Sequence, residues 1–142
     1  MSRLAVIRIR GKPVGMKNEA LKTLSMLRLH RNHCCAIVND SPSMRGMLER
    51  VKDYVTYGEI DDETFNEMLT KRGELFVMRA QDSKGIIKYP FFESGGKKYK
   101  PVFRLAPPKK GFERKGIKLP FKQGGALGNR EGKINELLKR MI

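Results

Sequence analysis

Three short apolar runs, "RLAVIRIR" (3–10), "HCCAIVN" (33–39) and "YVTYG" (54–58), alternate with two stretches of helical periodicity in the first sixty residues. This alternation constrains the fold more than any other feature, because it dictates the order β-α-β-α-β. In the first run Ala5, Ile7 and Ile9 share one strand face, and Leu4, Val6, Arg8 and Arg10 share the other. "GKPVG" (11–15) reads as a turn. The spacing predicts a helix over 18–30, with Leu21, Leu24, Leu27 and Ala20 on its buried stripe. A second helix is expected over 42–52. Ser41 suits its N-cap and Pro42 its first turn. Met44, Met47, Leu48 and Val51 repeat at i, i+3, i+4, i+7, while Arg45, Glu49 and Lys52 point elsewhere.

The second helix carries an interior glycine, Gly46, which costs roughly 1 kcal/mol relative to Ala. Two readings stand at this position. A missing side chain lets a partner approach the backbone, or it lets the helix pack tightly on the sheet.

Beyond residue 60, "DDETFNEMLTKRG" (61–73) reads as a third helix. It opens on acids, closes on Lys71 and Arg72, and stops at Gly73. Phe65, Met68 and Leu69 give it an apolar face. "ELFVMRA" (74–80) is expected to be a short strand or an extended arm. Residues 83–130 show no sustained period and read as loops with short strand pairs. The segment after Asn129 reads as a capped helix with Ile134, Leu137, Leu138 and Met141 in one stripe. Such a stripe needs a surface, so the chain is expected to return to its core. The expected parts are thus a core over 1–60, a helix and arm over 61–82, an extension over 83–130 and a terminal helix over 131–142.

Charge separates these parts. The chain carries 30 Lys+Arg against 15 Asp+Glu, a net +15. Residues 1–82 contribute only +3, whereas residues 83–130 contribute +11. That same block holds five of the seven prolines, eight of the fourteen glycines and seven of the eleven Phe+Tyr residues, so it is built to follow a surface rather than to form a core. A pI near 10.1 points to a polyanionic partner, nucleic acid before anionic membrane. No apolar run is long enough to span a bilayer. "MSRLAVIRIRG" lacks a signal-peptide pattern, and two adjacent cysteines cannot build a disulfide framework, so a reducing cytoplasm is expected.

Several chemistries fail on spacing. "HRNHCC" gathers His30, His33, Cys34 and Cys35, but on a strand the two thiols point to opposite faces and no second ligand pair exists, so no metal is expected. "GKPVGMK" lacks the spacing of a phosphate-binding loop, and "GGALGNREG" lacks that of a dinucleotide fingerprint. No cofactor is expected. "DDE" (61–63) invites a nuclease reading with Asp61 or Asp62 as metal ligand. Acids at a helix N-terminus explain it more simply. A metal-dependent nuclease or other RNA-processing enzyme, and a free basic protein that binds nucleic acid or membrane, are the alternatives to a structural RNA binder.

The grouped cations remain. "GGKKYKPVFR" (95–104) and "PPKKGFERKGIKLPFK" (107–122) interleave Lys and Arg with Tyr99, Phe103, Phe112 and Phe121. Cations neutralise phosphates and aromatics stack on splayed bases. The same aromatics equally suit a small core beneath the loops.

"ALKTLSMLRLHRNHCCAIVNDSPSMRGMLERVKDYVTYGEI" (20–60) resembles the core of the universal ribosomal protein L30 (L30/L7) family. Ser41-Pro42 followed by "MRGM" is its most specific piece. "FRLAPPKKGF" (103–112) and "GGALGNREGKINELLKRM" (124–141) resemble the terminal region of the family's long form, and a start directly at the first strand favours the archaeal version. The resemblance implies an α+β, ferredoxin-like fold, with a three-stranded antiparallel sheet in the order 3-1-2 and helices on one face. It implies a non-enzymatic constituent of the large ribosomal subunit in the cytoplasm. The implied partners are large-subunit rRNA, with 5S rRNA nearby, and other large-subunit proteins; no membrane, small-molecule substrate or homo-oligomer is expected. The candidate RNA contacts in the core are Arg8, Arg10, Lys12, Lys17, Arg28, Arg31, Arg45, Gly46 and Arg50. Those in the extension are Lys97, Lys98, Lys100, Arg104, Lys109, Lys110, Arg114, Lys115, Lys118, Lys122 and Arg130.

Overall fold

The computed structural model describes residues 2–12 and 14–142. The first sixty residues fold in the expected order: β1 (Arg3–Arg8), α1 (Asn18–Met26), β2 (Cys34–Asn39), α2 (Pro42–Val51) and β3 (Val55–Glu59). Of the turn expected at 11–15, Pro13 lies outside the described residues. Antiparallel β1 lies between β2 and β3, pairing Ile7 with Cys35 on one side and with Thr56 on the other. This is the expected 3-1-2 core.

The sheet is wider than expected. β6 (Val102–Arg104) adds to β2 in antiparallel register, with Phe103 opposite Cys35. β7 (Gly128–Asn129) adds to β3 in parallel, with Gly128 opposite Thr56. The result is five strands in the order β6-β2-β1-β3-β7. Two strands of the basic extension therefore complete the edges of the core sheet.

Helices cover both faces rather than one. On one face α1 and α2 bury Leu24, Leu48 and Val51 against Leu4, Val6 and Val55. On the other, α3 (Asp62–Arg72) and α4 (Ile134–Met141) bury Phe65, Met68, Leu137 and Leu138 against Ala5, Ile7, Cys35 and Ile37. The physical reason lies in "LAVI", a run apolar at every position, as a strand buried on both faces requires. Ile134, Leu137, Leu138 and Met141 are fully buried, so the terminal stripe does return to the core.

Local chemistry explains the element ends. Ser41 Oγ accepts the Met44 N–H at 3.2 Å and caps α2. Asn129 Oδ1 accepts the Glu131 N–H at 2.9 Å, opening the 3-10 turn that leads into α4. α1 stops at Met26, four residues earlier than the periodicity predicts. Arg28 takes a left-handed φ of 61°, its N–H donates to Ser25 O, and the Leu29 N–H donates to Leu24 O. These paired bonds close the helix and fold Leu29 back into the core. Gly58 in β3 has a different role. A Cβ there would meet Glu131 O and, at 2.9 Å, Ile134 Cβ, so glycine admits the approach of the final helix.

The arm after α3 runs extended beside a hairpin of β4 (Phe92–Ser94) and β5 (Lys97–Tyr99). Its Phe76 N–H donates to Lys98 O at 2.8 Å, and the Lys100 N–H donates to Glu74 O at 2.8 Å. The hairpin turns on Gly95 and Gly96, both at positive φ, as a two-residue turn of this hand demands.

Candidate RNA interface

Two of the expected RNA contacts are internal, and both act as braces for loops that carry other cations. Arg8 is buried, because its strand face is covered by α1 and α2. Its Nη1 donates to Leu29 O at 2.8 Å and its Nη2 to Gly11 O at 3.1 Å. One guanidinium thereby ties the loop bearing Lys12 to the loop bearing Arg28 and Arg31. Burial pulls the Arg8 pKa below its ordinary value.

Arg130 is the second correction, at 3% exposed. Its Nε donates to Thr56 Oγ1 at 2.9 Å, its Nη2 to Ala126 O at 3.3 Å and its Nη1 to the Glu113 carboxylate. The guanidinium carbon also lies 4.8 Å from the centre of the Phe121 ring. Burial lowers its pKa, and the hydrogen bond to Glu113 partly offsets this. Arg130 thus pins both ends of the segment carrying Arg114, Lys115, Lys118 and Lys122 onto β3. Neither buried arginine is free to touch phosphate.

The remaining extension cations point to solvent. Among the described residues, Lys109, Lys110, Arg114, Lys115, Lys118 and Lys122 are exposed and take part in no ion pair. Lys109 and Lys110 sit just beyond the end of α4. The Lys109 N–H caps Arg140 O at 3.1 Å, and Arg140 Nη1 donates back to Gly111 O at 2.8 Å. Lys97 and Lys98 are exposed on the hairpin, and Lys98 Nζ lies 4.7 Å from the centre of the Phe91 ring.

In the core, Lys12, Lys17, Arg28, Arg31 and Arg50 are exposed. Arg10 is half-buried and donates to Asp53 O at 2.8 Å. Arg45 is exposed but engaged with Asp40, Nε to Oδ1 at 2.6 Å, and this contact holds the Asp40 carboxyl below its usual range. Gly46 is exposed, and a Cβ built on it meets nothing within 4 Å. Packing against the sheet therefore does not explain this glycine.

The fold also assembles a cleft that spacing alone does not announce. It has a volume of about 670 Å3 and is lined by Arg28 and Arg31 from the α1–β2 loop, Lys100 and Arg104 from the β5–β6 region, Phe76 from the arm and Tyr89 from the start of the extension. Glu74 stands among the cations, 3.0 Å from Lys100 Nζ and 3.7 Å from Arg104 Nε. Phe76, Tyr89 and Glu74 were absent from the sequence-based set. For Glu74 and Phe76 the signal is the alternation in "ELFVM", which puts Glu74, Phe76 and Met78 on one side of an extended arm and Leu75 and Val77 on the other; Tyr89 has no such signal.

The thiols of Cys34 and Cys35 enter opposite layers of the sheet, as alternation requires. Asp62 makes only a loose contact with Arg3 at 4.0 Å. Among the described residues, no three His, Cys, Asp or Glu side chains gather as a metal site, and no helix is long and apolar enough to cross a membrane.

Comparison with known proteins agrees with this architecture. Residues 4–55 match the family model described as Ribosomal protein L30p/L7e. The chain is 43% identical to the large ribosomal subunit protein uL30 of Methanococcus maripaludis, over 97% of this chain and 98% of that protein. It is 40% identical to the uL30 of Methanopyrus kandleri, over 92% of this chain and 98% of that one. Identity to the uL30 of Nanoarchaeum equitans is 39% over the full length of both. Because similarity of this strength runs through the arm, the extension and the terminal helix as well as the core, the chain belongs to the L30p/L7e family of ribosomal proteins.

Proposed function

We propose that this chain is a structural constituent of the large ribosomal subunit that binds and stabilises large-subunit rRNA. As a member of a ribosomal-protein family it is a cytoplasmic ribosome component and not an enzyme. Its partners are rRNA, with 5S rRNA nearby, and neighbouring large-subunit proteins, and it enters the subunit as a single copy. The four parts of the chain divide the work. Residues 1–60 and 131–142 form the frame, 61–82 extend it, and 83–130 supply most of the charge for RNA.

The observation that carries this reading is the set of exposed, unpaired cations on the extension. Cations before the extension such as Lys52 and Lys71 have carboxylate partners at 2.6 and 2.7 Å, so their charge is answered within the chain. Lys109, Lys110, Arg114, Lys115, Lys118 and Lys122 have none, and six such charges on one segment repel each other until an anion meets them. Lys12, Lys17, Arg28, Arg31, Arg45, Gly46 and Arg50 are exposed on the core and supply further contacts to RNA.

Filter binding to large-subunit rRNA across a salt series tests the assignment. Neutralising Lys109, Lys110, Arg114 and Lys115 is expected to weaken binding more than neutralising Lys71 and Arg72, which have partners inside the chain. Each lost phosphate contact lowers the salt slope by about 0.7–0.9. A larger effect from the Lys71/Arg72 pair would place the binding face elsewhere. Cleavage of the RNA, or equal affinity for any DNA, would favour the nuclease or free-binder alternatives.

A further inference from the structure

We propose that the cleft between the α1–β2 loop and the arm receives a single unstacked nucleotide of the rRNA, its phosphate on Arg28 and Arg31 and its base against Tyr89 and Phe76. The inference rests on the rRNA reading above and goes beyond it. It assigns a base-binding site, whereas the extension supplies phosphate contacts.

Three observations converge on this site. The cleft volume, about 670 Å3, falls in the range of pockets that hold small ligands, about 300–1,000 Å3. Sequence-specific contacts to RNA favour unpaired bases, which stack on aromatic rings and lie beside cations. The cleft combines both elements, four cations with two aromatic rings.

The rings and cations are also held in place. Phe76 is stacked on Phe91 at 5.6 Å between ring centres, and Phe91 stands outside the cleft lining. Tyr89 is 41% exposed. Its N–H donates to Ala80 O at 3.1 Å, which anchors its backbone to the arm. The loop cations are fixed from below by Arg8, through Leu29 O, and from within by the left-handed Arg28 that closes α1.

Glu74 does not oppose this use. It engages Lys100 and Arg104 and leaves Arg28 and Arg31 without a carboxylate partner among the described residues. The cleft therefore has a braced side, where charge is balanced, and a side where positive charge is unanswered. That asymmetry suits a nucleotide, which has a neutral base and an anionic phosphate.

The test uses the full chain and transcribed large-subunit rRNA. Tyr89→Leu and Phe76→Leu keep the apolar character of the arm while removing the ring, and Tyr89→Phe restores it. Each Leu variant is expected to lower affinity by roughly 5- to 150-fold, as loss of one stacked base does, with no change in salt slope, because stacking releases no counterions. Tyr89→Phe is expected to bind as the parent does. Ultraviolet crosslinking followed by peptide mass spectrometry is expected to find a nucleotide adduct on the peptide containing residue 76 or 89. Parent-like affinity in both Leu variants, with crosslinks only in the 109–122 segment, would overturn the cleft assignment and leave the rRNA reading standing. Absence of salt-dependent rRNA binding by the parent chain would overturn both. A melting curve on each variant separates lost contact from lost fold, and Tyr89→Leu read against Tyr89→Phe decides the case if Phe76→Leu unfolds.

Discussion

Arg130 donates from the third strand's flank into the carboxylate of Glu113, seventeen residues earlier and in the middle of the basic extension. The pair joins a segment with no regular secondary structure to the most ordered part of the molecule. An extension of Gly, Pro and Lys would otherwise lose too much chain entropy to hold a shape. Here a buried guanidinium with four different contacts supplies the anchor.

Replacing Arg130 is expected to act on the fold, not on phosphate. Arg130→Ala leaves Thr56 Oγ1, Ala126 O and the Glu113 carboxylate short of a donor and should cost about 2–4 kcal/mol. Arg130→Lys should not rescue it, because one ammonium cannot span three acceptors in fixed directions. Lys122→Ala, on the exposed side of the same segment, should leave the melting temperature unchanged. Thermal melts of the three variants check this, and a parent-like melt for Arg130→Ala would show that the anchor lies elsewhere.

Arg8 should behave in the same way at the other loops. Arg8→Met removes the donors to Leu29 O and Gly11 O, an expected cost of about 1–3 kcal/mol. Proteolytic nicking in the 10–16 and 27–33 loops is expected to rise with it. RNA affinity should fall without a change in salt slope. A slope lowered by one unit would mean that Arg8 reaches phosphate after all.

Gly46 separates packing from approach. Gly46→Ala should raise the melting temperature, with a gain of up to about 1 kcal/mol from helix propensity, because nothing stands within 4 Å of the added carbon. Gly46→Leu should also fold normally. It is expected to incorporate poorly into subunits if rRNA or a neighbouring protein lies on this face. A clear loss of melting temperature in either variant would return the explanation to packing.

Cys35 gives the chain a pH dependence in the alkaline range. Burial pushes its thiol up to about 12. The unfolded thiol ionises near 8.5, so above that pH the unfolded state gives up a proton that the folded state keeps. Stability should therefore fall as pH rises from about 9 toward 12. Cys35→Ala should flatten that part of the profile, at the cost of a small cavity. A thiol reagent at pH 8 should modify Cys35 only at the rate of unfolding. Fast modification in the native protein would contradict its burial.

The frame of the molecule was readable because its elements repeat. Leu48 and Val51 fell on a helical stripe, Ile7 and Cys35 on strand faces, and Ile134, Leu137, Leu138 and Met141 on a stripe that had to be covered. The two-residue strand at Gly128 was not readable, since a pair of residues carries no period. The expectation of helices on one face came from family resemblance and neglected a run of four apolar residues in β1. The status of individual cations was the hardest matter. Arg8 and Lys12 look alike in sequence, and Arg130 looks like Arg114. Whether a guanidinium meets water or a buried carbonyl is decided by elements that arrive from elsewhere in the chain. The cleft failed to appear for the same reason, because it joins positions 28–31 with 74–104.

The second helix layer has a consequence for synthesis. Ala5, Ile7, Cys35 and Ile37 form an apolar surface as soon as the first three strands pair, yet α4, which seals much of it, comes about eighty residues later. At about 5–20 residues per second, that interval is roughly 4–16 seconds for each nascent chain. During that time the part of this face that α3 leaves uncovered stays bare. Each new copy of the chain needs that surface shielded, so the order of residues along it places a steady demand on whatever guards a cell's emerging proteins.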